Sequence, residues 1–210
     1  MVGISNVLYG QDHRLQIDQL IDSARSLWYV DFDKTEQLLS RAEKLIKSQG
    51  SDNPTKLLDV YEIRMGSCNA FSRLQLWRTY LSNTDSLLVQ YKSDLADGYQ
   101  LRRLTNELLR AQYYFAINDD TKALELFVRI LNEYKNLPES VEACSRIHLV
   151  GNEIAGIHER RGEHEASINQ HFAGIPYMEC VDRITGEKNP RSLAYRNIGR
   201  VYLEKGDYYQ

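Results

Sequence analysis

The sequence predicts an all-α protein built as a helical repeat, about four and a half helical hairpins with a period of 44 residues. Two observations carry this prediction. First, one turn recurs. Gly206 in EKGDYY, Gly162 in RRGEHE and Asn118 in AINDDT stand 44 residues apart. Gly and Asn are the residues that most readily take the left-handed backbone ending a helix tightly. Two further steps reach Val30, just before the amphipathic stretch DFDKTEQLLSRAEKLI, and the step between falls on Leu74, in a stretch with poor turn chemistry. Second, apolar residues between these turns recur at three- and four-residue intervals, the helical period. The four prolines and twelve glycines lie mostly between the predicted helices.

Composition agrees with such an array and narrows its partners. Hydrophobic residues at 42% and charged residues at 26% suit a soluble globular chain. The net charge of −3 offers no general attraction to nucleic acid or to an anionic membrane. No apolar run approaches the roughly 18 residues of a membrane span, and the N-terminus lacks the basic leader of a signal peptide. Cys68, Cys144 and Cys180 are odd in number and share no paired spacing. They are expected as free thiols in a reducing cytoplasm.

The elements follow in order. Residues 1–13 are expected as a flexible N-terminus ahead of a helical domain over 14–210. A first helix over 14–29 carries Leu20, Ile21, Ala24, Leu27 and Trp28 at helical spacing. A second begins at Asp33, with Glu36 completing a capping box, and runs to Ser48. After the break over 50–54, a third helix over 55–72 holds Gly66, Ser67 and Ala70, small residues that predict close helix contact. Its partner over 76–92 contains SNTDS, poor in helix formers, so a kink near Asn83 is expected. Asp97-Gly98 precedes helices over 99–117 and 121–135, with Ala111, Tyr114, Ala123, Phe127 and Ile130 in register. Ser140 is the expected N-cap of a helix over 140–161, and Glu142 suits the positive end of its dipole. Its partner spans 163–181, and Thr185-Gly186 and Asn189-Pro190 lead to a last helix.

Within that last stretch Tyr195, Ile198, Gly199, Tyr202, Gly206 and Tyr208 resemble the first helix and turn of a tetratricopeptide repeat. Phe32, Thr35, Leu39 and Ala42 resemble the family's second helix. The resemblance implies a right-handed α-α superhelix whose first helices line a concave groove. The period of 44 exceeds the usual repeat of about 34 residues. Shared between two helices, the excess lengthens each by about 7.5 Å. Long-helix repeats of this kind look like those of bacterial regulatory proteins.

Four of the five histidines fall between His148 and His171. The register of the resemblance places His158, His164 and His171 at positions usually aromatic in the family, so they are expected to meet in the wedge of the fourth hairpin. The spacing lacks a zinc-protease pair, and no cysteine lies at ligand distance in sequence. Packed, hydrogen-bonded histidines are the first reading, a pH-sensitive cluster the second and a metal site the third. A phosphate-cradling loop, a dinucleotide-binding glycine motif, a CxxC pair and a nucleophile elbow are all lacking. No catalytic residue, metal or cofactor is expected.

The groove positions implied by the resemblance are Tyr61, Arg64, Phe71, Gln112, Phe115, Asn152, Glu159, Arg196 and Arg200. Asn152 and Gln112 would hold a peptide backbone, and Arg196 and Arg200 would meet acidic groups. The competing reading buries Phe71 and Phe115 between neighbouring helices and pairs the arginines with Glu159 or Glu204. After Gly206 a further helix would be expected, so the chain reads as an N-terminal piece of a longer protein, or as one whose open face meets another chain in a homodimer. The expected function is a protein- or peptide-binding scaffold in a bacterial signalling protein. The alternative is an input domain for an enzyme such as a diguanylate cyclase, or for a DNA-binding regulator.

Overall fold

The computed structural model describes residues 3–48, 53–186 and 192–206, and among them every regular element is helical. Residues 50–52 of the break expected over 50–54, the break at Asn189-Pro190 and the aromatic position Tyr208 lie outside the described residues. The chain divides into two compact units, Met1–Ala116 and Ile117–Gln210.

In the first unit α1 (Gly3–Leu27) pairs with α2 (Phe32–Ser48), and α3 (Pro54–Ala70) pairs with α4 (Leu74–Gln90). A short α5 (Lys92–Leu95) and a 3-10 turn (Ala96–Gly98) lead into α6 (Tyr99–Ala116), which packs on α3 and α4. Helix α1 begins eleven residues before the expected start, over a proline-free stretch. Ile17, Leu20, Ile21 and Ala24 of α1 meet Leu39, Ala42 and Ile46 of α2 and Leu57, Val60 and Ile63 of α3. Gly66 of α3 faces Trp28, which follows α1: a Cβ there would stand 3.1 Å from Cε3 of Trp28.

The second unit holds α7 (Asp120–Lys135), α8 (Val141–Arg160), α9 (His164–Thr185) and α10 (Ser192–Lys205), each packed on the next. Phe127, Ile130 and Tyr134 of α7 and Val150, Ala155 and Ile157 of α8 are fully buried. Ile168 of α9 packs with Ile198 and Val201 of α10.

Local chemistry explains most of the boundaries. Asn118, Gly162 and Gly206 all hold left-handed backbone, at φ 60°, 71° and 86°. At Gly162 the amide of Glu163 reaches back to the carbonyl of His158 at 2.8 Å, closing the helix end. The turn expected at Leu74 lies two residues earlier, at Ser72 (φ 55°), with Arg73 N–H donating to Cys68 O at 2.8 Å. Ser140 Oγ accepts from Ala143 N at 3.1 Å, the expected cap. The cap of α2 is Asp31 rather than Asp33, since Asp31 Oδ1 accepts from Lys34 N at 3.0 Å.

Helix α4 runs unbroken through Asn83. Thr84 and Ser86 return their hydroxyls to the carbonyls of Tyr80 and Ser82, and Trp77, Leu81 and Leu88 bury the face beneath. Packing overrides the weak propensity of SNTDS.

The free-thiol expectation fails for two of three cysteines. Cys144 of α8 and Cys180 of α9 form a disulfide, with Cα atoms 6.2 Å apart. Each stands 18 residues from Gly162, so the two face each other only once the hairpin has formed. Cys68 is free and fully buried, and burial pushes its thiol up to about 12.

Candidate functional site

Tyr61 and Arg64 of α3 point into the first unit rather than towards solvent. Arg64, only 5% exposed, lies between the rings of Tyr61 and Tyr80, 5.4 and 5.3 Å from their centroids. Its guanidinium reaches Glu43 Oε2 at 2.6 Å, Ser40 Oγ at 3.2 Å and Glu36 Oε2 at 3.3 Å. Tyr61 donates its hydroxyl to Glu43 Oε1 at 3.2 Å, and Tyr80 donates to Glu36 Oε2 at the same distance. Burial alone would raise the Glu43 pKa; hydrogen bonds and charge from Lys47 and Arg64 outweigh it and hold the group low. Burial and the nearby carboxylates push both phenols up. The cluster ties α2, α3 and α4 together and leaves neither expected groove residue available to a ligand.

The other expected positions of this unit are less enclosed. Phe71 is half-buried at the end of α3, edge-on to Phe32 at 5.8 Å, and Arg73 covers the other ring. Gln112 and Phe115 are half-buried on α6.

In the second unit the expected wedge of His158, His164 and His171 is divided. His158 Nδ1 turns to Glu163 Oε2 at 2.5 Å, at the hairpin turn. Nδ1 of His164 is buried without a hydrogen bond. His171, 3% exposed, joins a chain that includes His148 instead. Asn152 links the two rings: its Nδ2 lies 3.0 Å from His148 Nε2 and its Oδ1 lies 3.0 Å from His171 Nδ1. His171 Nε2 faces Glu159 Oε1 at 3.2 Å. Glu159 also accepts from Ser167 Oγ at 3.0 Å, and its other oxygen meets Arg200 of α10 at 2.7 Å.

This geometry sets the charges. Burial would raise the Glu159 pKa, but hydrogen bonds from Arg200, His171 and Ser167 hold it low. His148 is pushed down by burial foremost, with the charge of His171 acting the same way and the Gly174 backbone opposing. Gly174 makes the room: a Cβ there would sit 2.9 Å from His148 Nδ1. Among the described residues no group of three His, Cys, Asp or Glu side chains could hold a metal ion.

Asn152 and Glu159, two expected groove residues, are thus occupied within the hairpin. Arg200 takes the internal pairing, bonding Glu159 and, at 3.0 Å, Glu204. Arg196 is exposed on α10. The sequence reading missed His148, Ser167 and Gly174 in the second network, and Glu36, Glu43 and Tyr80 in the first. One signal was available, since Glu36 and Tyr80 stand one period apart, at matching places on successive second helices.

On α10 Tyr195 is 53% and Leu203 59% exposed, and nothing lies within 4 Å of a Cβ built on Gly199. Beside the disulfide a cleft of about 410 Å³ is lined by Lys135, Glu139, Ile147, Pro176, Tyr177 and Arg183, among others.

No family model matches the sequence, and no curated protein matches it. Among solved structures, the chain is similar to BtubC (BKLC) from P. vanneervenii, with a TM-score of 0.59 and 16% identity, over 93% of this chain and 85% of that one. At that identity the likeness concerns the fold.

Proposed function

We propose that the protein is a tetratricopeptide-like scaffold that works by binding protein, as a regulatory interaction module, and that its partner surface is the outer face of α10. One observation supports this reading above the others. One period before Tyr195 and Gly199 stand Gly151 and Ala155 of α8. Those two are covered: both are buried, and a Cβ on Gly151 would lie 3.3 Å from Gln170 of α9. The matching face of α10 is apolar, has a small residue at its centre and is open among the described residues. A helix seated as α9 sits on α8 would bury Tyr195 and Leu203. The occupant we favour is α10 of a second copy, because a two-fold contact presents the same patch from both sides.

The reading predicts a concentration-dependent dimer in light scattering. Tyr195→Asp with Leu203→Asp should return it to monomer with helicity unchanged. Ile198 is a poor probe, since it is 5% exposed and packs on Ile168. A monomer at every concentration overturns self-association through α10. The acidic-peptide alternative then rests on Arg196, and Arg196→Ala should weaken acidic peptides without altering the fold. Arg200→Ala is not an equivalent test, because it first breaks the bond to Glu159.

A further inference from the structure

We infer that His148, Asn152 and His171 form a relay that holds one proton, and that a second proton entering on acidification forces the relay apart and loosens α10. Donors and acceptors along the chain must match one to one. Glu159 accepts from Arg200, Ser167 and His171, an arrangement that keeps it ionised. His171 Nε2 must therefore carry a hydrogen. With the Asn152 oxygen towards His171, as found, Nδ1 carries one too, and the ring is an imidazolium. The Asn152 amide then donates to His148 Nε2, which must be bare, so His148 is neutral with its hydrogen on Nδ1 beside Gly174.

The amide can also stand the other way round, with its nitrogen towards His171 and its oxygen towards His148. His171 is then neutral and His148 donates from Nε2. That arrangement accepts the extra proton on His148 as readily as it does without. Each arrangement keeps every bond of the chain, and each admits at most one extra proton. With both rings charged, two N–H donors face one amide that has a single oxygen. One ring must withdraw, since a donor–donor contact in a partly buried site is costly.

The effect reaches α10 through Glu159. This carboxylate collects donors from α9 (Ser167, His171) and α10 (Arg200) while sitting on α8. When His171 is driven off, Glu159 loses one of three donors and the Arg200 anchor is no longer fixed from behind. Two further charge pairs tie these helices. Asp120 of α7 meets Arg160 of α8 at 2.7 Å, and Lys205 of α10 meets Glu165 of α9 at 2.5 Å. His158, paired with Glu163 at the turn, and His164 also lie in this hairpin; His148 and His171 are the two imidazoles linked through Asn152 to Glu159.

The test is a pH titration of the full chain, following the imidazole nitrogens by NMR and the α10 amides by hydrogen exchange. At neutral pH His148 should have a bare Nε2 accepting from the Asn152 amide. Between about pH 7 and 5, where His titrates, His148 should gain its proton as α10 loses protection. Asn152→Asp supplies two acceptor oxygens, so both rings can be charged. The His148 midpoint should rise by about 1 to 3 pH units, the usual effect of an adjacent opposite charge, and α10 should stay protected. His148→Gln keeps an acceptor for Asn152 and should abolish acid loosening while leaving the neutral state intact. An unchanged His148 midpoint in Asn152→Asp overturns the relay. Acid loosening of α10 that persists in His148→Gln overturns it equally, and that variant decides the matter if the other does not fold.

Discussion

Single side chains in this protein act mainly by satisfying one another. Arg64 is the clearest case, since it neutralises Glu36 and Glu43 in a nearly closed site. Arg64→Ala leaves Glu36 with only the Tyr80 hydroxyl and Glu43 with Lys47 and the Tyr61 hydroxyl, and urea unfolding followed by circular dichroism should show a loss of about 1–3 kcal/mol. Gly66→Ala tests the opposite fault, too much volume. The new methyl would press on the rigid face of Trp28, and the same measurement should show a loss of about 1–3 kcal/mol. His148 supplies the pH dependence. Its folded pKa lies below its ordinary 6.5, so the unfolded chain takes up protons first as pH falls. Stability of the second unit should therefore decline as pH drops through that value, and His148→Gln should flatten the decline. Beyond the one-period spacing of Glu36 and Tyr80, these partners were not legible in sequence. Glu36 and Glu43 sit in an amphipathic helix rich in charge, where a carboxylate on the solvated side looks the same as one aimed at a buried arginine on the next helix. Asn152 has the same ambiguity: its place on the helix was readable, but the two rings it bonds depend on how α8 and α9 are rotated.

At the level of helices and turns the sequence was more informative, because turns obey local rules. Asn118, Gly162 and Gly206 take the backbone their side chains favour. Their spacing marks the hairpins directly. Ser72 was invisible because serine gains nothing from left-handed backbone and is placed there by the helices on either side. This asymmetry predicts opposite results for two substitutions. Ser72→Gly should stabilise the first unit by about 1 kcal/mol, and Gly162→Ala should destabilise the second by a similar amount, both read from urea midpoints. The small residues of α3 also spoke clearly, since Gly66 and Ser67 are where neighbouring helices come close. The expected break in α4 did not form because burial of Trp77 and Leu81 exceeds the modest preference of Asn, Thr and Ser for turns.

Across the whole molecule, the division at Ala116 and Ile117 separates two sets of stabilising features. The first unit has the Arg64 cluster and a free buried thiol, and the second has the histidine chain and the disulfide. The disulfide closes a separation of 36 residues, for which chain entropy gives about 4 kcal/mol. Reduction, or the paired change Cys144→Ala and Cys180→Ala, should lower the thermal midpoint of the second unit and leave the first where it was. The two units also differ in how they can be seen. Both tryptophans of the chain, Trp28 and Trp77, belong to the first unit. Indole emission, excited where tyrosine does not absorb, therefore watches one half of the protein and is dark to the other. A backbone signal that shifts while the indole signal stands still locates an event after Ala116, and the native chain needs no dye to report it.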